Sequence, residues 1–175
     1  MPGLNPAVND DDHIQGDDPD APITLVEYGD YQCSFCGRAY PQIKEAQAAL
    51  GQDLRFVFRN FPITTLHPNA ENAAEAAETA AKSGKVWEMH DMLFENQSAL
   101  DVPNLVKYAV ELGMDRDTFV RDLEEHTTAE RVRRDFLSGV RSGVNGTPTF
   151  FINGERYDGN WDHGHLLMAL KQLLR

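Results

Sequence analysis

YQCSFCGR, residues 31–38, contains both cysteines of the chain, Cys33 and Cys36, two residues apart. Thiols at that spacing can form a redox couple, half of a metal site, or two small buried side chains, so the flanking sequence has to separate these readings. Upstream, APITLVEYGD at 21–30 carries a β-branched apolar run from Ile23 to Tyr28 that stops at Gly29, the pattern of a buried strand. Downstream, SFCGRAYPQIKEAQAALG at 34–51 places Phe35, Ala39, Ile43, Ala46 and Leu50 near helical spacing and ends at Gly51. The cysteines therefore sit on a tight turn between strand and helix, with Cys33 at the helix N-terminus. Pro41 lies inside that helix, where it removes a backbone donor and is expected to kink it.

Further along, LRFVFRNFP at 54–62 reads as a second strand closed by Pro62. Residues 63–142 then change character. HPNAENAAEAAETAAKSG opens a helix near Asn69, and KVWEMHDMLFEN sets Val86, Met89, His90 and Leu93 along one side of another. VPNLVKYAVELG, DRDTFVRDLEEH and TAERVRRDFLSGVRSG bring the total to about five short helices with short links. Strands return at TPTFFINGERYDG, 147–159, where Asn153-Gly154 suits a two-residue hairpin turn. The final helix, DHGHLLMALKQLLR, carries Leu166, Leu167, Leu170 and Leu174 on one face. The simplest packing of this order is an α/β fold, a central mixed sheet with helices on both faces and an all-helical insertion. The expected units are an acidic lead-in at 1–20, a core domain at 21–62 and 143–175, and the insertion at 63–142.

At 175 residues, 41% hydrophobic and 25% charged, the composition is that of an ordinary globular protein. A net charge of −12 opposes binding to nucleic-acid phosphates or anionic lipid, so neither a nucleic-acid nor a membrane partner is expected. NDDDHIQGDDPD at 9–20 holds six aspartates and no apolar face, and reads as a solvated lead-in. No run approaches the length of a membrane span, and the first 22 residues lack the basic start and apolar run of a secretory signal. If residue 1 is the natural start the expected location is the cytoplasm, or the periplasm if an export signal was removed. In a reducing compartment, cysteines at this spacing point to catalysis or metal binding over a structural staple.

The chemistry of the pair follows from its position. Free amides and the helix dipole stabilise negative charge at a helix N-terminus, so Cys33 is the candidate nucleophile. Cys36, one turn inward, can reach it to close a disulfide or release a trapped partner. Zinc would need two more ligands, and the six histidines, His13, His67, His90, His126, His163 and His165, are scattered apart from the last two. No metal is expected, although a metal-binding domain stays open as an alternative.

The marks VEYGDYQCSFC, a proline eight positions after the first cysteine, the helical insertion and GVNGTPTFFING together resemble the thioredoxin superfamily, and in detail its DsbA-like thiol-disulfide oxidoreductases, over about residues 21–175. The resemblance implies a thioredoxin-like fold and disulfide exchange with protein substrates through Cys33 and Cys36, with no dissociable cofactor. Pro148 matches the superfamily's cis-proline facing the cysteines, and Thr147 before it would offer its backbone to an extended substrate. Glu27, six positions before Cys33, falls where relatives bury an acid that moves the proton of the inner thiol; read alone, it could equally be a strand-end acid in solvent. Ser34 and Phe35 occupy the variable dipeptide beside the substrate. Strongly oxidising relatives carry proline and histidine there, so this pair is expected to be a weaker oxidant. His67 reads as the start of a helix, although relatives place this stretch near the active-site face. The implied partners are extended or unfolded protein segments, and a redox protein or glutathione that resets the pair. A non-catalytic peptide-binding module remains the main alternative. A glutathione-dependent transferase on a related fold is disfavoured by the second cysteine.

Overall fold

A computed structural model describes residues 3–175; the first two residues of the expected lead-in lie outside the described residues. Five strands form one mixed sheet: β1 (Ile14–Gln15), β2 (Ile23–Gly29), β3 (Leu54–Asn60), β4 (Thr149–Ile152) and β5 (Glu155–Tyr157), in spatial order β1-β3-β2-β4-β5. β2 runs parallel to β3 from Ile23 opposite Leu54 to Gly29 opposite Asn60, whereas the other pairings are antiparallel. β4 and β5 are joined through Asn153 and Gly154, both at positive φ (51° and 86°), the conformation a two-residue hairpin needs.

Because successive side chains leave a strand on opposite faces, the two sides of the sheet hold separate cores. Leu25, Phe56, Phe58 and Phe150 face one side, where helices α1 (Ser34–Leu50) and α7 (His165–Gln172) cover them with Ala39, Ile43, Leu166 and Leu170. Val26, Tyr28, Val57 and Phe151 face the other. There α6 (Ala129–Arg141) stacks Phe136 on Phe61 with ring centroids 4.3 Å apart. Gly139 permits that approach: a Cβ on it would stand 2.7 Å from the Phe61 ring.

The insertion contains α2 (Ala70–Ala81), α3 (Val86–Glu95), α4 (Val102–Glu111), α5 (Arg116–Glu124) and α6. Ala73, Ala76, Met89 and Leu93 continue the first core, so the block shares apolar packing with the sheet. α1 is assigned as one uninterrupted helix from Ser34 to Leu50 with Pro41 inside it, and ends at Gly51, whose φ is 51°. No helix among the described residues is long and apolar enough to cross a membrane.

The lead-in departs from the solvated segment expected of its composition. Leu4, Val8 and Ile14 pack on the second core, and β1 extends the sheet by pairing with Val57 and Phe56 of β3. The cause lies elsewhere in the chain. Arg59 projects from β3 into that core and is 2% exposed, a position no guanidinium occupies without partners. Asp12 supplies the countercharge through two hydrogen bonds of 2.8 Å, while the Pro6 and Ala7 carbonyls accept further bonds from Arg59.

Candidate active site

β2 delivers the chain to the site, and residues 30–33 turn it into α1. Asp30 makes that turn: its carboxylate accepts the Gln32 amide at 2.8 Å and its carbonyl accepts the Cys33 amide at 3.1 Å. Cys33 then occupies the helix cap position with extended backbone, and no side chain caps the helix. The free amides of the first turn are thus available to the Cys33 sulfur.

Both cysteines are free thiols and both are buried, Cys33 at 5% exposure and Cys36 at 0%. Their sulfurs divide the charge unequally. The Cys33 thiol is pushed down to about 5, first by a hydrogen bond from Cys36 and then by Thr147 and the Cys36 and Phe35 amides, against the opposing effect of partial burial. Cys36 moves the other way. Burial raises its thiol well above the ordinary value, and its hydrogen bond to Cys33 and the negative charge of Glu27 add to that rise.

Glu27 lies on β2 opposite Phe58 on one side and Phe150 on the other. It is 1% exposed and neither carboxyl oxygen has a hydrogen-bond partner. Burial, with the nearby Cys33 charge, raises its pKa to about 8. A buried acid is therefore what the structure places here, rather than a strand-end acid in solvent. Gly29 leaves the room, since a Cβ there would stand 3.1 Å from Glu27 Oε1 and 2.9 Å from Phe58 Cζ.

Residues 147 and 148 come to the thiols across more than a hundred positions of sequence. The Thr147–Pro148 peptide bond is cis, and Cys33 Sγ lies 3.7 Å from the Thr147 carbonyl oxygen. The buried Thr147 hydroxyl has no hydrogen-bond partner. Ser34 and Phe35 are exposed beside the pair, Phe35 at 54%. The Arg38 guanidinium lies 5.6 Å from the centroids of both the Phe35 and Trp161 rings and is bonded to Asp162.

Two groups around the turn carry no signal in the sequence, and a third is read there differently. Asp30 is one of the first two: it also accepts the Ile63 amide at 2.9 Å and His67 Nδ1 at 2.7 Å. Gln97, between α3 and α4, donates from Nε2 to the Tyr31 and Cys33 carbonyls at 2.9 Å each. His67 is placed by the structure on the active-site turn. Among the described residues no three His, Cys, Asp or Glu side chains converge to hold a metal ion. His13, His67, His90 and His126 are instead bonded one by one to Glu78, Asp30, Tyr31 and Glu75.

A mixed sheet with a dithiol at a helix N-terminus, facing a prolyl loop, defines a thioredoxin-like fold. The chain belongs to the thioredoxin family, whose model, described as Thioredoxin, matches residues 8–172. BdbD from Bacillus subtilis in its oxidised form is similar with a TM-score of 0.81 and 25% identity, over 94% of this chain and 93% of that one. A thioredoxin-like oxidoreductase from Silicibacter pomeroyi DSS-3 is similar with a TM-score of 0.80 and 26% identity, over 94% and 92%. Among curated proteins, the Na(+)/H(+) antiporter NhaA 1 of Mycobacterium sp. (strain KMS) is 44% identical over 170 residues. That match covers 96% of this chain but only 28% of the antiporter, so the chain spans little more than a quarter of that relative's length.

Proposed function

We propose that the protein exchanges disulfides with extended or unfolded protein segments through Cys33 and Cys36. The Cys33 thiolate attacks a substrate disulfide, forming a mixed disulfide and releasing one substrate sulfur as a thiolate that takes up a proton. Cys36 then loses its proton to Glu27 and attacks the Cys33 sulfur. The Cys33–substrate bond breaks, the Cys33–Cys36 disulfide forms, and the substrate leaves with two electrons. Run in reverse, the same steps oxidise a substrate dithiol.

The electrostatics suit this order. While Cys33 carries charge, it helps hold the proton on Glu27. Once Cys33 is in a mixed disulfide that charge is gone, so Glu27 ionises more readily when a base is needed. The Thr147 backbone, beside a proline that has no amide to donate, is available to pair with the substrate's main chain. A redox protein or glutathione would reset the pair. The cytoplasmic placement expected from the first residues finds no support in the similar proteins.

The observation that carries this reading is the polarised pair itself, an ionisable Cys33 at 3.7 Å from the Thr147 carbonyl with a wholly buried Cys36 behind it. Insulin reduction should be lost in Cys33→Ser, whereas Cys36→Ser should accumulate a mixed disulfide with a cysteine-containing unfolded protein. Retained insulin reduction in Cys33→Ser, or a wild type that glutathione mixtures cannot interconvert between dithiol and disulfide, would defeat the proposal.

A further inference from the structure

The dipeptide between the cysteines offers Cys33 no histidine, yet a full carboxylate, Asp30, is built into the same turn. Asp30 is 1% exposed, and it touches both sulfurs' surroundings: its carbonyl holds the Cys33 amide, and its backbone hydrogen-bonds to Cys36. An uncompensated negative charge there would oppose a thiolate at Cys33. Two of the three groups bonded to its side chain, the Gln32 and Ile63 amides, are neutral. Among the described residues, His67 is the one basic side chain within ion-pair distance of Asp30, with Nδ1 at 2.7 Å from Oδ2. The histidine side chain is 23% exposed and so can exchange protons with solvent, whereas Asp30 is fully enclosed.

Resting on the redox function proposed above, we infer that His67 is a positioning residue for the dithiol, which as an imidazolium cancels the Asp30 charge beneath Cys33 and so favours the thiolate over the disulfide. It supplies from the neighbouring loop the cationic imidazole that the Ser34-Phe35 dipeptide lacks. The groups that share this field are Glu27, Asp30, Cys33 and Cys36. Neutralising His67 costs the reduced form more than the disulfide, because only the reduced form carries charge on Cys33.

The test compares wild type, His67→Gln and His67→Lys. Two quantities are read for each: the Cys33 titration by thiolate ultraviolet absorbance, and the dithiol–disulfide equilibrium constant in glutathione buffers. His67→Gln keeps a donor without the charge. It should raise the pH at which Cys33 ionises and shift the equilibrium towards the protein disulfide by about threefold or more. His67→Lys should lie nearer to wild type in both. Equal shifts in the two variants would mean that only the contact matters, and no shift in either would mean that Asp30 is not felt at Cys33; each overturns the inference. Asp30→Asn, which removes the anion, should move both quantities in the direction opposite to His67→Gln, whereas a shift in the same direction counts against the inference. A wild type that fails to equilibrate with glutathione at all would instead refute the redox function.

Discussion

The Glu27 carboxyl is enclosed with neither oxygen bonded, so its ionised form is the costly one and its pKa rises from 4.5 to about 8. Folding stability follows with a definite sign. Below pH 4.5 the group is neutral in both states; between 4.5 and about 8 the unfolded chain ionises while the folded one keeps its proton, so stability falls as pH rises. Replacing the acid by an apolar residue of similar size removes that loss. Glu27→Leu should therefore be more stable than wild type at pH 7, by about 2 kcal/mol in urea unfolding of the reduced protein, with the gap narrowing towards pH 4. In the proposed reaction it should also release mixed disulfides about tenfold more slowly, because Cys36 loses its base. A variant less stable at pH 7 and equally fast would mean that the acid is a structural group. The strand pattern around Glu27 could not settle its burial, since an acid near a strand end is compatible with either side. What settles it is the fit of Phe58 and Gly29 around the carboxyl, a contact between strands.

At the level of elements, α1 was legible because its apolar positions recur at helical spacing and glycine ends it, and the cysteine pair marked its beginning. What fixes that beginning was not. Gln97 reaches it from a linker with no periodicity, 64 residues from Cys33, and no local pattern announces such a bond. Gly37 is its complement: a Cβ there would collide with the Gln97 amide, so the glycine is needed for approach. The pair should behave as one unit. Gln97→Ala removes two hydrogen bonds to backbone carbonyls and should cost about 1 kcal/mol, and Gly37→Ala should cost as much or more by pushing the side chain away. Combined, they should cost less than the sum, because alanine at 97 relieves the collision. Strict additivity in urea unfolding would show that the two positions do not meet.

For the whole molecule, the sequential order of β2 to β5, the run of helices between β3 and β4 and a mixed sheet could be read from changes in period along the chain, but the spatial order of the strands could not. The N-terminal segment could not, because its aspartates give it the composition of a solvated tail while its role is set by Arg59, 47 residues away in β3. Three apolar side chains, Leu4, Val8 and Ile14, are too widely spaced to make a pattern, yet they complete the core behind the sheet. The segment is thus a strap held by apolar packing, by the pairing of β1 with β3 and by a buried ion pair, 2% and 5% exposed at its two side chains. Removing the acid alone leaves a guanidinium buried without its countercharge. Asp12→Ala should consequently destabilise the protein by about 3 kcal/mol or more, and added salt should not narrow the difference as it would for a surface pair. Removing both charges, as in Asp12→Ala with Arg59→Leu, should recover part of the loss, since no charge is then stranded. Urea midpoints for the two variants decide the matter: an unchanged midpoint for Asp12→Ala would mean that the Pro6 and Ala7 carbonyls and Tyr28 hold Arg59 without need of Asp12, and a double variant weaker than the single would mean that those bonds outweigh the stranded charge.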